Sequence, residues 1–209
     1  MADTLDAALP TRRRRSDARR SIDAILNAAR TVLGERPDAS MEDIATAAGV
    51  TRQTVYAHFP SRDALIVALI EAARAEGLAA IDAARVDTAP PVDAIAHFLD
   101  ISWQLLRRYP LLSDPALNRI PRLDGSDPHL AVTAQLEQLI RRGQRAGDFD
   151  RALSASWVAA AILALGHTAA EKVAAGRLTT SQAATMLLDS TLRLCGATGA
   201  RSQAAVDRA

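Results

Sequence analysis

One short stretch of the chain restricts its fold more than any other part of the sequence. Ser40 stands three residues before Asp43, a spacing that favours a capped helix start in which each side chain bonds the other residue's backbone N–H. Gly49 ends this helix after about eight residues, because glycine adopts positive φ at little cost. Thr51 then caps a further helix, which a proline ends. Two short helices joined by a glycine turn form a helix-turn-helix.

The rest of the chain also predicts helices, because apolar residues recur with helical spacing and β-branched runs are scarce. Gly and Pro residues mark where most of these helices end. The predicted helices cover residues 17–33, 40–48, 51–58, 61–85, 90–110, 115–120, 127–147, 154–175 and 179–195. The expected fold class is therefore all-α, with a total of about nine helices.

Charge is distributed unevenly along a chain whose formal net charge is only +1. Residues 10–62 contain ten arginines against six acidic residues, whereas the chain from residue 63 onward is close to neutral. This asymmetry indicates that the N-terminal part meets an anionic partner. The sequence contains no signal-peptide pattern and no apolar run long enough for a membrane span, and its single cysteine, Cys195, allows no intramolecular disulfide. We therefore expect a cytoplasmic protein.

The first turn of the third predicted helix carries four polar side chains. They are Thr51, Arg52, Gln53 and Thr54. An α-helix fits the major groove of DNA, and the residues at its N-terminal end then face the base edges. Arginine can bond guanine in bidentate fashion, glutamine can bond adenine, and threonine can contact a thymine methyl. This pattern predicts a helix that reads base pairs.

Other polar residues near this helix are candidates for contacts with the phosphate backbone, which orient a protein on the duplex. Tyr56 and His58 follow on the same helix, Arg62 stands near the start of the fourth helix, and Ser40 stands at the start of the second. A run of arginines near the N-terminus can enter a narrow minor groove. This run consists of Arg12, Arg13, Arg14 and Arg15.

The TetR (tetracycline repressor) family of bacterial regulators has a DNA-binding domain that this chain resembles in the segments IDAILNAARTVLGER and SMEDIATAAGVTRQTVYAHFPSRDAL. The resemblance covers about residues 17–70 and implies phosphate contacts for Tyr56 and His58. Two positions depart from the usual pattern. Arg62 replaces a common lysine and keeps the positive charge, and Gln53 replaces a common glycine and adds a side chain for base contact.

The resemblance implies a division of the chain into four parts. We expect a flexible basic arm (1–16), a helix-turn-helix DNA-binding domain of three helices (17–62), a larger helical effector-binding and dimerisation domain (63–196) and a disordered tail (197–209). The implied function is that of a ligand-responsive transcriptional regulator, by family habit a repressor, which binds a palindromic operator in double-stranded DNA as a homodimer. No cofactor and no metal are expected.

The last two long helices are the expected homodimer interface, because two reading helices related by a two-fold axis are needed to read a palindrome. Small residues on the first of them allow close approach, and the second supplies bulk. These residues are Ala159, Ala160, Ala161, Ala164, Gly166, Leu187, Leu188, Thr191, Leu192 and Leu194. The alternative is that they only face the core of their own chain.

The middle helices are expected to hold a small effector. Large rings and histidines are the candidate lining residues, and the mainly apolar walls favour a hydrophobic or aromatic ligand over a phosphate ester. The candidates are Phe98, Trp103, Tyr109, His129, Trp157 and His167. Ordinary core packing is the alternative role for each ring.

Two other classes of function compete with a ligand-responsive regulator. A ligand-independent DNA-binding or architectural protein would have the same N-terminal half. An enzyme is disfavoured, because the sequence contains no HExxH, GxSxG or glycine-rich phosphate loop, and its four histidines are scattered. Cys195 has no histidine near it in the sequence, so a buried apolar role is expected for it.

Overall fold

The computed structural model of the chain describes residues 8–113 and 130–197, and all regular secondary structure in these two ranges is helical. One 3-10 helix (Pro110–Ser113) accompanies eight α-helices. The α-helices are α1 (Ala8–Glu35), α2 (Met41–Ala48), α3 (Arg52–His58), α4 (Arg62–Ala83), α5 (Pro91–Arg108), α6 (Leu130–Ala146), α7 (Ala155–Ala174) and α8 (Thr180–Leu194). The all-α class is confirmed. The predicted helix over 115–120 and the tail after residue 197 lie outside the described residues.

Helix starts follow the caps that the sequence predicts. The Ser40 hydroxyl accepts from the Asp43 backbone N–H, and the Asp43 carboxylate accepts from the Ser40 backbone N–H. Thr179 and Gln182 form the same reciprocal pair at the start of α8. Ser154 caps α7 through the backbone N–H of its third residue. These bonds satisfy N–H groups that have no partner within their own helix.

Helix α1 begins at Ala8, whereas the sequence-based prediction placed its start near Asp17. The backbone of the four arginines, 12–15, is therefore part of α1. Arginine, alanine and leucine are good helix formers, and proline is tolerated in a first helical turn, as Pro10 is here. No residue between Thr11 and Ser16 therefore stops the helix from extending toward the N-terminus.

The described residues up to 72 form one compact unit together with residues 109–113. Helices α1, α2, α3 and the first half of α4 contribute its core. Fully buried side chains in this core are Ile25, Leu33, Ile44, Val55 and Leu65. The expected boundary of the first domain was residue 62, but Leu65 and Leu69 of α4 are also buried, so the start of α4 belongs to this unit.

Gly49 makes the turn between α2 and α3. Its φ and ψ are 67° and 28°, the left-handed region that favours glycine. The N–H groups of Gly49 and Val50 donate to the carbonyls of Thr46 and Ala45 at 3.2 and 3.1 Å. The turn thus satisfies carbonyls at the end of α2 while it redirects the chain into α3.

The second compact unit comprises residues 73–108 and the described residues from 130 onward. Its core joins α5, α6 and α7 through Phe98, Leu136, Ile140 and Ile162, which are at most 1% exposed, and α8 through Ala183, which is fully buried. Arg142 of α6 attaches the α4–α5 connection to this core. Its guanidinium donates to backbone carbonyls in that connection at 3.0 and 2.7 Å.

A close approach at Gly143 gives a test of this packing. A methyl group at Gly143 would lie 2.1 Å from Cδ2 of Phe149, a ring that is only 3% exposed. We expect Gly143→Ala to destabilise the protein by about 1–3 kcal/mol, because the ring has no free space to move into. Chemical denaturation measures this loss. In the double variant with Phe149→Leu the cost should be smaller than the sum of the two single costs, whereas full additivity would contradict the contact.

Candidate nucleic-acid interface

Helix α3 is held to the first unit by one buried side chain and exposes the polar residues around it. Val55 is fully buried, whereas Arg52, Gln53 and Tyr56 are exposed. Positions 52, 53 and 56 share one face of a helix, since residues one, three and four apart lie within 100° of one another. The structure therefore brings three of the predicted DNA-contacting side chains together on an outward face.

The two threonines of the predicted reading helix cap it as well. The Thr51 hydroxyl accepts from the Thr54 backbone N–H at 3.1 Å and lies 2.8 Å from the Thr54 hydroxyl. Thr51 is exposed and Thr54 is half-buried. Their first role is thus to fix the start of α3, and any contact they make with a base or phosphate must be compatible with that bond.

Arg52 lies between two neighbours. Its Nη1 is 3.4 Å from Oε2 of Glu42 in α2, and its guanidinium carbon is 5.4 Å from the centre of the Tyr56 ring. The Tyr56 hydroxyl and then the Glu42 carboxylate raise the pKa of Arg52 above its usual value. The guanidinium is thereby held on the same exposed surface that the sequence assigns to base reading. Sequence reasoning missed Glu42, because its pairing with Arg52 depends on how α2 crosses α3.

Ser40 and Arg62, two predicted phosphate contacts, both have partners within the first unit. The Ser40 hydroxyl donates to the Asp43 carboxylate at 2.6 Å, and this bond is the main reason that the pKa of Asp43 is lowered, with Arg36 adding a smaller effect. Arg62 is half-buried and donates to the backbone carbonyl of Pro37 in the α1–α2 connection. Both residues therefore stabilise helix ends and connections around α3.

His58 is the last residue of α3 and is half-buried. Its ring centre is 6.5 Å from that of Phe59, with the planes tilted by 58°. Phe59 is buried, so this contact holds the imidazole against the surface of the core. Of the other predicted contacts, the side chains of Arg12, Arg13, Arg14 and Arg15 lie outside the described residues.

The described residues among those predicted to line an effector pocket differ in burial and belong to both units. Phe98 and Trp103 are buried in the core of the second unit, and His167 is half-buried on α7. Tyr109 belongs to the first unit, where the Arg30 guanidinium lies 5.7 Å from its ring centre. Trp157 is 64% exposed. The sixth residue, His129, lies outside the described residues.

The exposure of Trp157 has a local cause. Ser154 fixes the start of α7, and from that start Ala155, Val158 and Ile162 face inward. Position 157 then falls on the outward face, because successive helical residues are 100° apart. The ring of Trp157 is thus presented to the surroundings of the described chain and does not face the core.

Among the described residues no group of three or more His, Cys, Asp or Glu side chains is placed to hold a metal ion. Cys195 is 2% exposed, and burial raises the pKa of its thiol to about 11. A thiol in this state is a poor nucleophile near neutral pH, since the thiolate is the reactive form. Within the part of the chain that the structure covers, no helix is both long and apolar enough to cross a membrane.

Comparisons with known proteins agree with this geometry. Residues 25–69, which include α2, α3 and their core contacts, match the family profile "Bacterial regulatory proteins, tetR family". The HTH-type transcriptional repressor LfrR of Mycolicibacterium smegmatis is 41% identical over 103 residues, 45% of this chain and 53% of LfrR. The chain resembles the TetR family.

Another relative is the HTH-type transcriptional regulator EthR of Mycobacterium tuberculosis, which is 42% identical over 71 residues, 31% of this chain and 32% of EthR. The chain thus spans about half the length of LfrR and a third of EthR in these matches.

Solved structures extend the TetR resemblance to the fold. LfrR from Mycobacterium smegmatis in complex with proflavine has a TM-score of 0.63 and 26% identity, and the match covers 83% of this chain and 94% of that one. The fatty acid degradation regulator FadR from Bacillus halodurans has a TM-score of 0.71 over 82% of this chain and 94% of that chain; at 17% identity this likeness concerns the fold alone.

The ion pair between Glu42 and Arg52 leads to a prediction for the candidate nucleic-acid interface. Arg52 must leave Glu42 to bond a base, and the carboxylate also repels phosphate. We expect Glu42→Gln to tighten binding to a selected DNA duplex by about two- to five-fold, the range expected for an exposed ion pair. Fluorescence anisotropy with labelled duplex measures this change.

The control is Glu42→Gln in an Arg52→Ala background. There the gain in DNA affinity that depends on the ion pair should vanish. Weaker binding by Glu42→Gln alone would mean that Glu42 orients Arg52 for DNA and does not compete with it.

Proposed function

We propose that the chain is a DNA-binding regulator of transcription that binds a palindromic operator as a homodimer and releases it when a small effector binds. Repression is the mode we favour, because the relative LfrR is named a repressor. The observation that carries the proposal is the outward face of α3, where Arg52, Gln53 and Tyr56 stand together beside buried Val55 in a segment matched by the TetR profile.

Base reading is assigned to Arg52 and Gln53. Both are exposed within the first turn of α3, and both carry side chains that can make two hydrogen bonds to one purine. Tyr56 and His58 follow toward the end of the helix and are assigned to the phosphate backbone. Thr51 and Thr54 are assigned to the groove, Ser40 and Arg62 to flanking phosphates, and the arginines of 12–15 to the minor groove.

The homodimer is assigned to the outward face of α7 and its neighbour α8. Ala155–Ala170 contains no charged residue, yet Trp157, Ala160 and Ala164 along this helix are exposed. Met186 of α8 is 55% exposed. Between the second half of α7 and α8 runs a largely apolar groove of about 410 Å³. Exposed apolar side chains that are grouped on one face are typical of an interface with another protein.

Several residues that the sequence assigned to this interface have another role in the structure. Ala159, Leu187, Thr191 and Leu192 are buried against their own chain. The exposed residues that we assign to the interface include Trp157, which the sequence assigned to the effector pocket. Large aromatic side chains near the centre of an interface supply much of its binding free energy.

The effector is assigned to the second unit. A ligand changes DNA affinity only through a difference in its own affinity for the two states of the protein, and the coupling acts in both directions. The regulators LfrR and FadR, whose folds this chain shares, are described with proflavine and with fatty acid degradation respectively. A ligand-independent DNA-binding protein is the second candidate, and it would bind the same duplexes with no response to any small molecule.

Two substitutions on α3 test the reading assignment. We expect Arg52→Ala to weaken binding to a selected duplex by about 1–3 kcal/mol and to relax the preference at one base pair. Tyr56→Phe removes a phosphate contact and should weaken binding similarly on all sequences. Affinities measured on the selected duplex and on its single-base variants separate the two effects. If neither substitution alters the complex, α3 is not the reading helix.

A substitution on α7 tests the dimer assignment. We expect Trp157→Glu to convert the protein to a monomer at micromolar concentration, because burying an unpaired carboxylate costs several kcal/mol. Sedimentation equilibrium measures the mass. His97→Glu at an exposed position of α5 is the control and should leave the dimer intact. A parent protein that is already monomeric under these conditions would contradict the assignment.

A further inference from the structure

A cleft in the second unit combines an apolar floor with a cationic rim. It has a volume of about 430 Å³, which is within the range of small-molecule sites. Phe98 of α5 and Leu139 of α6 contribute to the floor, and both are buried. Arg141, Arg142 and Arg145 of α6 stand along it. We infer that this cleft binds an amphipathic anion, a molecule with a carboxylate or similar head and an apolar tail.

Arg142 is the strongest reason for an anionic head. It is half-buried, and Nη2 alone makes its two hydrogen bonds, both to neutral backbone carbonyls. Within the described residues no carboxylate lies within 4 Å of this guanidinium. Among the described residues this charge thus has no carboxylate partner, and no hydrogen bond by Nη1 or Nε is made there. A partly desolvated guanidinium of this kind binds a carboxylate far better than a neutral or cationic group.

The other charged residues of the cleft also favour an anionic head. Arg141 is paired with Glu137, one turn earlier on α6, and so contributes little net charge. Asp87 is an exposed acidic residue of the lining and offsets one further cation. The positive charges of Arg142 and Arg145 together exceed the negative charge of Asp87. The lining of the cleft therefore carries a net positive charge beside the buried apolar side chains of Phe98 and Leu139.

Gln135 adds a second polar group. Its Oε1 atom is buried and has no hydrogen-bond partner among the described residues. A buried amide without a partner costs free energy, and a ligand that bonds it recovers that cost. The carboxamide can turn to present its N–H₂ group to an anion or keep its oxygen toward a hydroxyl. Gln135 and Arg142 are seven residues apart on α6, so both side chains lie on one face of that helix.

We assign this ligand the role of the effector, and only this assignment rests on the proposed function, since binding itself needs no DNA. The test uses three probes with one ten-carbon tail, namely decanoate, 1-decanol and decyltrimethylammonium, below the concentrations at which they form micelles. Isothermal titration of the full chain measures each affinity. We expect decanoate to bind at least about ten-fold more tightly than the other two, because only its head pairs with a guanidinium.

Reversing the charge of one arginine of the cleft tests whether decanoate binds there. Arg145→Glu should remove most of the preference for decanoate, and it leaves the backbone bonds of Arg142 intact. Arg107→Glu is the matched control, because Arg107 lines a different cleft, between α4 and α5. Equal affinities for the three heads, or an equal loss of affinity in both variants, would overturn the inference. Decanoate that binds in this cleft without weakening the DNA complex would support the inference and contradict the proposed coupling.

Discussion

The left-handed turn at Gly49 is the constraint on which the candidate DNA interface depends. It ends α2 and directs the chain into α3, and the caps at Ser40 and Thr51 fix where each helix starts. With the start of α3 set, burial of Val55 determines which residues face outward. Arg52 and the residues on its face are exposed as a consequence, since a helix that buries one stripe presents the opposite one.

The charged side chains around α3 have more partners within the chain than the excess of arginines in the sequence suggests. Arg52 has Glu42 as an ion-pair partner, Asp43 accepts bonds from Ser40, and Arg62 donates to a backbone carbonyl. These contacts position the polar groups, and the exposed ion pair between Arg52 and Glu42 is weak enough for Arg52 to exchange its partner. The second unit differs, because Arg142 is half-buried there and has no carboxylate partner among the residues that the structure describes.

The sequence predicted the class of fold, most helix bounds and the outward position of the α3 residues, because caps, glycine turns and helical spacing act over a few residues. It misplaced the start of α1, since an arginine run favours a helix as readily as an arm. It also assigned Trp157 to the interior. From Val158 to Gly166 helix α7 contains only apolar residues, so periodicity alone does not distinguish its inward face from its outward one. The pairing of Glu42 with Arg52 depends on tertiary geometry that no local pattern encodes.

Selection of duplexes from a random DNA pool by the whole chain tests whether the protein reads a palindromic DNA site as a dimer. The bound duplexes are sequenced, and the mass of the complex is measured on the most enriched one. We expect the enriched duplexes to contain inverted repeats whose half-sites lie about one helical turn or a multiple of it apart, with at least two chains on each duplex. A pool that shows no enriched sequence, or a single half-site occupied by one chain, would contradict it.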